Sequence, residues 1–408
     1  MNERVIIIGA GHAGGQAAIS LRQSGYEGDV LILGEEPYLP YQRPPLSKDF
    51  LAGKLELPRL FLRPENFYET KAIGCRTDAA VVAIDRAGKT VRLADGEALA
   101  YAKLIIATGT RPRLLPVAGA DLGNIFSLRG IDDVERIKPH FANSESIVIV
   151  GAGYIGLEVA AVAVKNGMKV TVIEAADRVL ARVSSPLISE YYQDYHRAAG
   201  VDIRLGAGLS HFEGAGAVSH AVLKDGEKIP ANLVIVGIGV VPNQEIAAEA
   251  GLHCDNGIWV DANSRTDDPD IYAAGDVANH FNTLYERRVR LESVQNAVEQ
   301  AKAAALDICG KPVPWHGVPS FWSDQYDLKL LTHGLLAGYD DIVVRGDMAQ
   351  RKFAVFYLRA GRMIASDCVN SPADHMGARN LIASKQVLPA AQLADASIPL
   401  KAILAAVS

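Results

Sequence analysis

Gly9, Gly11 and Gly14 stand in the spacing G-x-G-x-x-G, and the chemistry that spacing serves is the binding of a pyrophosphate. Gly9 permits a tight turn, Gly11 lets the backbone come close to a phosphate, and Gly14 lets the following helix lie against the strand before it. Glu35 follows at about the distance expected of a carboxylate that accepts hydrogen bonds from ribose hydroxyls. The chain then repeats the set with Gly151, Gly153, Gly156 and Glu174. One glycine triplet can be an ordinary strand-to-helix turn; two, each with its acid, imply two dinucleotide sites. Glu174 can accept from both ribose hydroxyls and would repel a 2′-phosphate, which favours NADH over NADPH, although Arg178 and Arg182 nearby temper that preference. Another acid, Asp276, follows Gly275 at the end of an apolar strand, where open α/β sheets bind ligands; a helix-capping aspartate is the alternative.

Such residues need strands that end, and helices that begin, at the right points. Val5 to Ile8 read as a buried parallel strand, Ala17, Ala18, Ile19 and Leu21 as the apolar face of a helix, and Val30 to Leu33 as the strand that delivers Glu35. The second unit repeats this with Ser146 to Val150, Leu157 to Ala161 and Val170 to Ile173. Leu104 to Ile106 form a buried strand ending in Ala107, Thr108 and Gly109, and Leu233 to Val236 a counterpart ending at Gly237. Between Pro37 and Lys48 the prolines exclude a regular helix or central strand. Arg43 and Lys48 therefore stand either on a rigid loop suited to the floor of a ligand site or on a solvated connector. Thr90 to Leu93 alternate as in an antiparallel strand. From about Pro319 short alternating strands follow, at 329–331, 341–345, 353–358 and 362–365, with helices after them. The fold expected is α/β: two Rossmann-like dinucleotide-binding domains, over 1–112 with 241–318 and over 113–240, plus a C-terminal α+β domain with an antiparallel sheet over 319–408.

The bulk properties narrow the class. With 408 residues the chain can bury two or three cores, and 49% hydrophobic with 22% charged residues is ordinary for a globular protein. A net charge of -6 argues against general affinity for nucleic acid. No apolar run is long enough to span a bilayer, and the first strand begins without a cleavable leader, so a cytoplasmic location is expected. Cys75, Cys254, Cys309 and Cys368 are scattered, without the spacing of a redox dithiol, a zinc site or an iron–sulfur cluster.

Four segments carry a family resemblance: Arg43 to Lys48 (RPPLSK), Gly153 to Glu158 (GYIGLE), Glu292 to Ala297 (ESVQNA) and Phe321 to Tyr326 (FWSDQY). Together with the two fingerprints they resemble the two-dinucleotide-binding flavoprotein reductases of the glutathione-reductase structural class. The likeness is to the putidaredoxin-reductase-type branch, the FAD-dependent NADH:ferredoxin reductases of oxygenase systems. It implies that Gly9, Gly11, Ala13, Gly14 and Glu35 hold the ADP half of FAD. It puts Lys48 beside the flavin, Asp276 on the ribityl chain or phosphate, and Arg43, Val81, Ala107, Thr108, Gly109, Arg129, Gly275 and Val294 in the FAD site. By the same likeness Gly151, Gly153, Tyr154, Ile155, Gly156, Glu174, Arg182 and Gly237 hold NADH. Glu158 would approach the nicotinamide side of the flavin and pair with Lys48, and Trp322 would cover the flavin, a plain core tryptophan being the alternative.

The chain departs from two other branches of that class, since it has neither a dithiol nor a single reactive cysteine near Tyr41 to Arg43. The cofactor would then carry the reaction while the protein positions it. The resemblance implies transfer of a hydride from NADH to flavin N5 and one-electron delivery to a small [2Fe-2S] ferredoxin serving a haem monooxygenase of the cytochrome P-450 type or a ring-hydroxylating dioxygenase. An acidic ferredoxin would dock on basic residues; Arg63, Arg287, Arg288, Arg290, Lys302 and Lys329 are candidates, or else ordinary solvated charges. An NADH oxidase and a redox signalling protein like apoptosis-inducing factor are the competing readings.

Overall fold

The computed structural model describes residues 3–407. The chain divides into two compact units, the first made of Met1–Arg43, Leu57–Arg111 and Val241–Pro319, the second of Pro44–Glu56, Pro112–Val240 and Ser320–Ser408.

The first unit is built on a five-stranded parallel sheet in the order Ile271–Ala273, Lys103–Ile106, Val5–Ile8, Val30–Leu33, Ile73–Arg76. All four residues of Val5–Ile8 are buried, because both faces of this sheet are covered. Alternation along the strand decides which cover each residue meets. Val5 and Ile7 join the core with Ala17, Ala18 and Leu21 of the helix His12–Gln23 and with Ala301, Ala304 and Ala305 of the helix Val294–Ile308. The small alanines let these two helices approach closely. Ile6 and Ile8 face the other way, into a core with Val91 and Leu93. Those two belong to Thr90–Leu93, the middle strand of an antiparallel sheet with Val81–Asp85 and Ala98–Ala100. Each of the large residues buried in these layers contributes about 1.5–3 kcal/mol by leaving water.

The second unit repeats the parallel design, in the order Asp202–Arg204, Lys169–Ile173, Ser146–Val150, Leu233–Val236, Ile125–Ser127. It also contains an antiparallel five-stranded sheet, ordered Ser320–Gln325, Leu328–Gly334, Arg362–Val369, Lys352–Arg359, Asp341–Asp347. These strands outrun the short alternating segments expected from the sequence. Lys352–Arg359 is buried along its whole interior, so polar–apolar alternation could not mark its ends. Phe353 meets the Tyr191 ring at 4.9 Å, and the helix Pro372–Ser384 packs on the strand Arg362–Val369.

Residues 44–56 pack with the second unit although the sequence groups them with the first domain. Pro44 and Pro45 start a single 3-10 turn, Pro44–Ser47, whose Leu46 is fully buried and which lies against the helix Tyr154–Lys165. The loop is thus a docked element rather than a solvated connector.

Candidate functional site

In the first unit the fingerprint glycines make a cradle. Gly9 has φ +110°, and a Cβ there would stand 2.3 Å from the Ala107 carbonyl oxygen, so the turn is pressed against the end of the neighbouring strand. A Cβ on Gly14 would stand 1.9 Å from the Gly9 oxygen. At Gly11, by contrast, a Cβ would meet nothing within 4 Å, and Gly11 caps the helix His12–Gln23 without any side-chain hydrogen bond. Open space at Gly11 therefore stands at a helix N-terminus that no side chain caps, which fits a pyrophosphate. Asn296, fully buried beside this sheet, also has an Oδ1 acceptor without a partner.

Gly275, Asp276 and Arg43, also expected in this site, lie close to the cradle. Gly275 brings its backbone to Ala13, where a Cβ would sit 3.0 Å from the alanine Cβ, and its N–H donates to Gln300 Oε1 at 2.9 Å. The Thr110 hydroxyl donates to Asp276 Oδ2 at 3.3 Å, and Thr108 is bonded both ways to Asn243. His12, at the helix N-terminus, is pushed down to about 4 by burial and then by the Arg43 charge, with Asp276 opposing. It is neutral at pH 7, so Arg43 is the cation at this end. The Arg43 guanidinium is held above its ordinary value by Tyr41 and Glu36 against the effect of burial, and it binds Glu36 Oε1 at 2.5 Å. Glu35 itself is exposed, Val81 begins the strand that pairs with Thr90–Leu93, and Val294 is the first residue of its helix, after the Ser293 cap.

The second fingerprint repeats the geometry inside the second unit. A Cβ on Gly151 would stand 2.5 Å from the Gly237 oxygen and one on Gly156 2.1 Å from the Gly151 oxygen, while Gly153 faces open space at an uncapped helix N-terminus. Glu174 is held by two backbone donors, Ala152 N–H at 2.7 Å and Ala176 N–H at 2.8 Å. Arg178 donates to the Ser184 and Ala181 carbonyls of its loop and to Ser189 Oγ of the helix Pro186–Ala198, so its charge is committed locally. Arg182 places its guanidinium where a side chain on Gly239 would be. Ile155 is partly exposed, and the Arg129 N–H donates to Asp133 Oδ2.

Also in the second unit, Lys48 Nζ stands 2.7 Å from Glu158 Oε2, with side-chain exposures of 18% and 4%. Ser47 Oγ donates to Oε2 at 2.5 Å and Ser323 Oγ to Oε1 at 2.6 Å. The match of two periods explains this meeting. Tyr154 and Glu158 lie one helical turn apart, about 6 Å, and Phe321 and Ser323 two strand residues apart, about 6.6 Å. Tyr154 accordingly stacks on Phe321 at 4.5 Å while Glu158 meets Ser323. Trp322 alternates to the opposite face of Ser320–Gln325 and is half-buried, so it is not among the groups gathered on Glu158. Ser47 and Ser323 lie inside the recognised segments, but nothing local in the sequence marks them as partners of Glu158.

Two of the basic docking candidates are committed internally. Arg288 lies 3.7 Å over the Trp259 ring and donates to the Asn279 carbonyl; Arg290, 10% exposed, binds Glu292 at 2.8 Å and the Asp276 carbonyl. Arg63, Arg287, Lys302 and Lys329 are exposed, Lys302 pairing with Glu299 at 2.9 Å. Burial pushes the Cys75 and Cys254 thiols up to about 11, so neither is a ready thiolate.

Two parallel-sheet glycine cradles and an antiparallel C-terminal sheet define a pyridine-nucleotide-dependent flavoprotein. The chain belongs to the pyridine nucleotide-disulphide oxidoreductase family, whose model matches residues 3–301, and a reductase C-terminal domain matches residues 320–404. It is similar to putidaredoxin reductase of Pseudomonas putida, 44% identical over 99% of this chain and 97% of that one. It is 46% identical to the 5,5′-dehydrodivanillate O-demethylase ferredoxin reductase subunit of a Sphingobium species, over 98% of each. The crystal structure of the covalent putidaredoxin reductase–putidaredoxin complex superimposes with a TM-score of 0.96 at 44% identity, over 100% of this chain and 99% of that one. FAD and NAD(H) are the cofactors that go with this family. No helix among the described residues is long and apolar enough to cross a membrane.

Proposed function

We propose that the protein is an FAD-dependent NADH:ferredoxin reductase, supplying electrons one at a time to a [2Fe-2S] ferredoxin of a monooxygenase or dioxygenase system. The observation that carries this reading is the likeness, over nearly the whole chain, to reductases named for putidaredoxin and ferredoxin. Bound together, the two cofactors supply two-electron transfer from the nicotinamide and one-electron release to the acceptor.

The chain's own work is positioning. Gly9, Gly11, Ala13 and Gly14 cradle the FAD pyrophosphate, Glu35 takes the ribose, and Arg43, rather than the neutral His12, offsets phosphate charge. Val81, Ala107, Thr108, Gly109, Arg129, Gly275, Asp276, Val294 and Trp322 complete the FAD site. Gly151, Gly153, Tyr154, Ile155, Gly156, Arg182 and Gly237 receive NADH. Glu174 selects it by charge, and the local commitment of Arg178 supports a firmer NADH preference than the sequence suggests. Lys48 and Glu158 set the electrostatics beside the flavin. The docking set reduces to Arg63, Arg287, Lys302 and Lys329.

Anaerobic NADH should bleach the yellow FAD-loaded protein, and reduction of cytochrome c should require an added [2Fe-2S] ferredoxin. Rapid cytochrome c reduction without ferredoxin, or a polypeptide that takes up no FAD, overturns the reading.

A further inference from the structure

Glu158 ends a chain of hydrogen bonds in which every member donates in the same direction. Within the second unit the Tyr326 hydroxyl donates to His196 Nδ1 at 3.1 Å, and His196 Nε2–H to Gln325 Oε1 at 2.8 Å. The Gln325 amide then donates to Ser323 Oγ at 3.1 Å, and Ser323 to Glu158 Oε1 at 2.6 Å. The polarity is fixed from both ends. The carboxylate paired with Lys48 accepts, so Ser323 gives it its proton and must itself take a donor, the Gln325 NH2 group. That leaves the Gln325 carbonyl for His196 and puts the imidazole proton on Nε2. Burial pushes His196 down to about 4, so the ring is neutral and Nδ1 stays free to accept from Tyr326.

The two carboxylate oxygens are served unequally. Lys48 and Ser47 both act on Oε2, and Ser323 acts on Oε1. Tyr154 and Tyr192 also lie within electrostatic reach of Glu158, and both feel Asp367 as well. We propose that Ser323, oriented by Gln325 and His196, is a positioning residue for the Lys48–Glu158 pair, so that the C-terminal sheet sets how far the Lys48 charge is offset. The proposal rests on the placing of Lys48 and Glu158 beside the flavin. Loss of the Ser323 hydroxyl leaves a buried Oε1 unsatisfied, and the carboxylate turns to recover a donor. The lysine is then less well neutralised, and its charge stabilises the reduced flavin.

The test compares Ser323→Ala, Ser323→Thr, Tyr326→Phe and Glu158→Gln in the FAD-loaded protein, by the midpoint potential of the flavin and by turnover with ferredoxin. Ser323→Ala should raise the potential and cut turnover about tenfold, the order set by one charge-assisted hydrogen bond, with KM for NADH unchanged. Ser323→Thr should restore both, and Tyr326→Phe should shift the potential the same way by less. A shift in Glu158→Gln with none in Ser323→Ala overturns the positioning role. No shift in Glu158→Gln overturns the placing of the pair at the flavin, and the proposal with it. Should Ser323→Ala fail to retain FAD, Gln325→Met, which leaves the serine in place but lets its hydroxyl turn, is read by the same criteria.

Discussion

A carboxylate that discriminates between nucleotides must do so by charge, and Glu174 is placed for that. Both of its oxygens also hold the turn through Ala152 N–H and Ala176 N–H. Glu174→Ala should therefore weaken use of NADH and NADPH alike by loosening the fingerprint. The ratio of their kcat/KM values isolates the charge, and it should fall by about 10–100-fold, the value of one or two charge-assisted hydrogen bonds. An unchanged ratio would remove Glu174 from selection. Acids of this kind are legible in a sequence because they follow their fingerprint at a fixed distance. The surroundings of Glu158 are not: Ser47 lies 111 residues away from it and Ser323 165, and only the tertiary fold brings them together. Arg178 shows the opposite failure, since proximity along the chain put a cation beside Glu174 and two carbonyls of its own loop, with Ser189 of the next helix, take it away.

At the scale of the element, two glycines of one turn separate folding from binding. A methyl group at Gly14 collides with backbone 1.9 Å away, so Gly14→Ala should compromise the strand–helix packing and with it the yield of folded protein. A methyl at Gly11 meets no protein atom within 4 Å, so Gly11→Ala should fold with nearly unchanged thermal stability yet lose much of its affinity for FAD. Equilibrium dialysis of the two apoproteins, together with their melting curves, decides it; a Gly11→Ala protein with native FAD affinity would contradict the cradle. The central parallel strands were legible because their apolar runs stop at a glycine or an acid; the short strands Ile73–Arg76, Ile125–Ser127 and Asp202–Arg204 carry no such run and were not. The 3-10 turn Pro44–Ser47 was only half legible: its prolines forbid a regular helix, but nothing local says that Leu46 is buried or on which unit it docks.

Over the whole molecule the buried titratable groups set a pH dependence. Burial holds His12, His196 and His280 at about 4, and holds Asp367 up at about 6. Between pH 6.5 and 4 the unfolded chain charges the three imidazoles while the native one does not, so stability falls as pH falls. Asp367 works the other way: its carboxyl keeps a proton in the native state that the unfolded state releases, so its contribution is lost as pH rises towards 6. Near pH 5 the unfolded chain therefore binds about two protons more, a slope of roughly 2–3 kcal/mol per pH unit. Urea unfolding of the apoprotein at pH 5 and 7 should show the loss on acidification, and Asp367→Asn should steepen it. A flat profile would show that these histidines are not buried as described.

The first unit's parallel sheet takes its edge strand Ile271–Ala273 from far beyond Lys103–Ile106, the strand it pairs with. A ribosome adding about 5–20 residues per second leaves that neighbour's outer edge uncovered for roughly 10–30 s while the intervening chain is made. Newborn copies thus pass through a stage at which an apolar strand offers unmatched amides to anything extended nearby. Slow decoding of the intervening stretch would prolong it, and overexpression in crowded cells should feed inclusion bodies from this nascent form rather than from the finished protein.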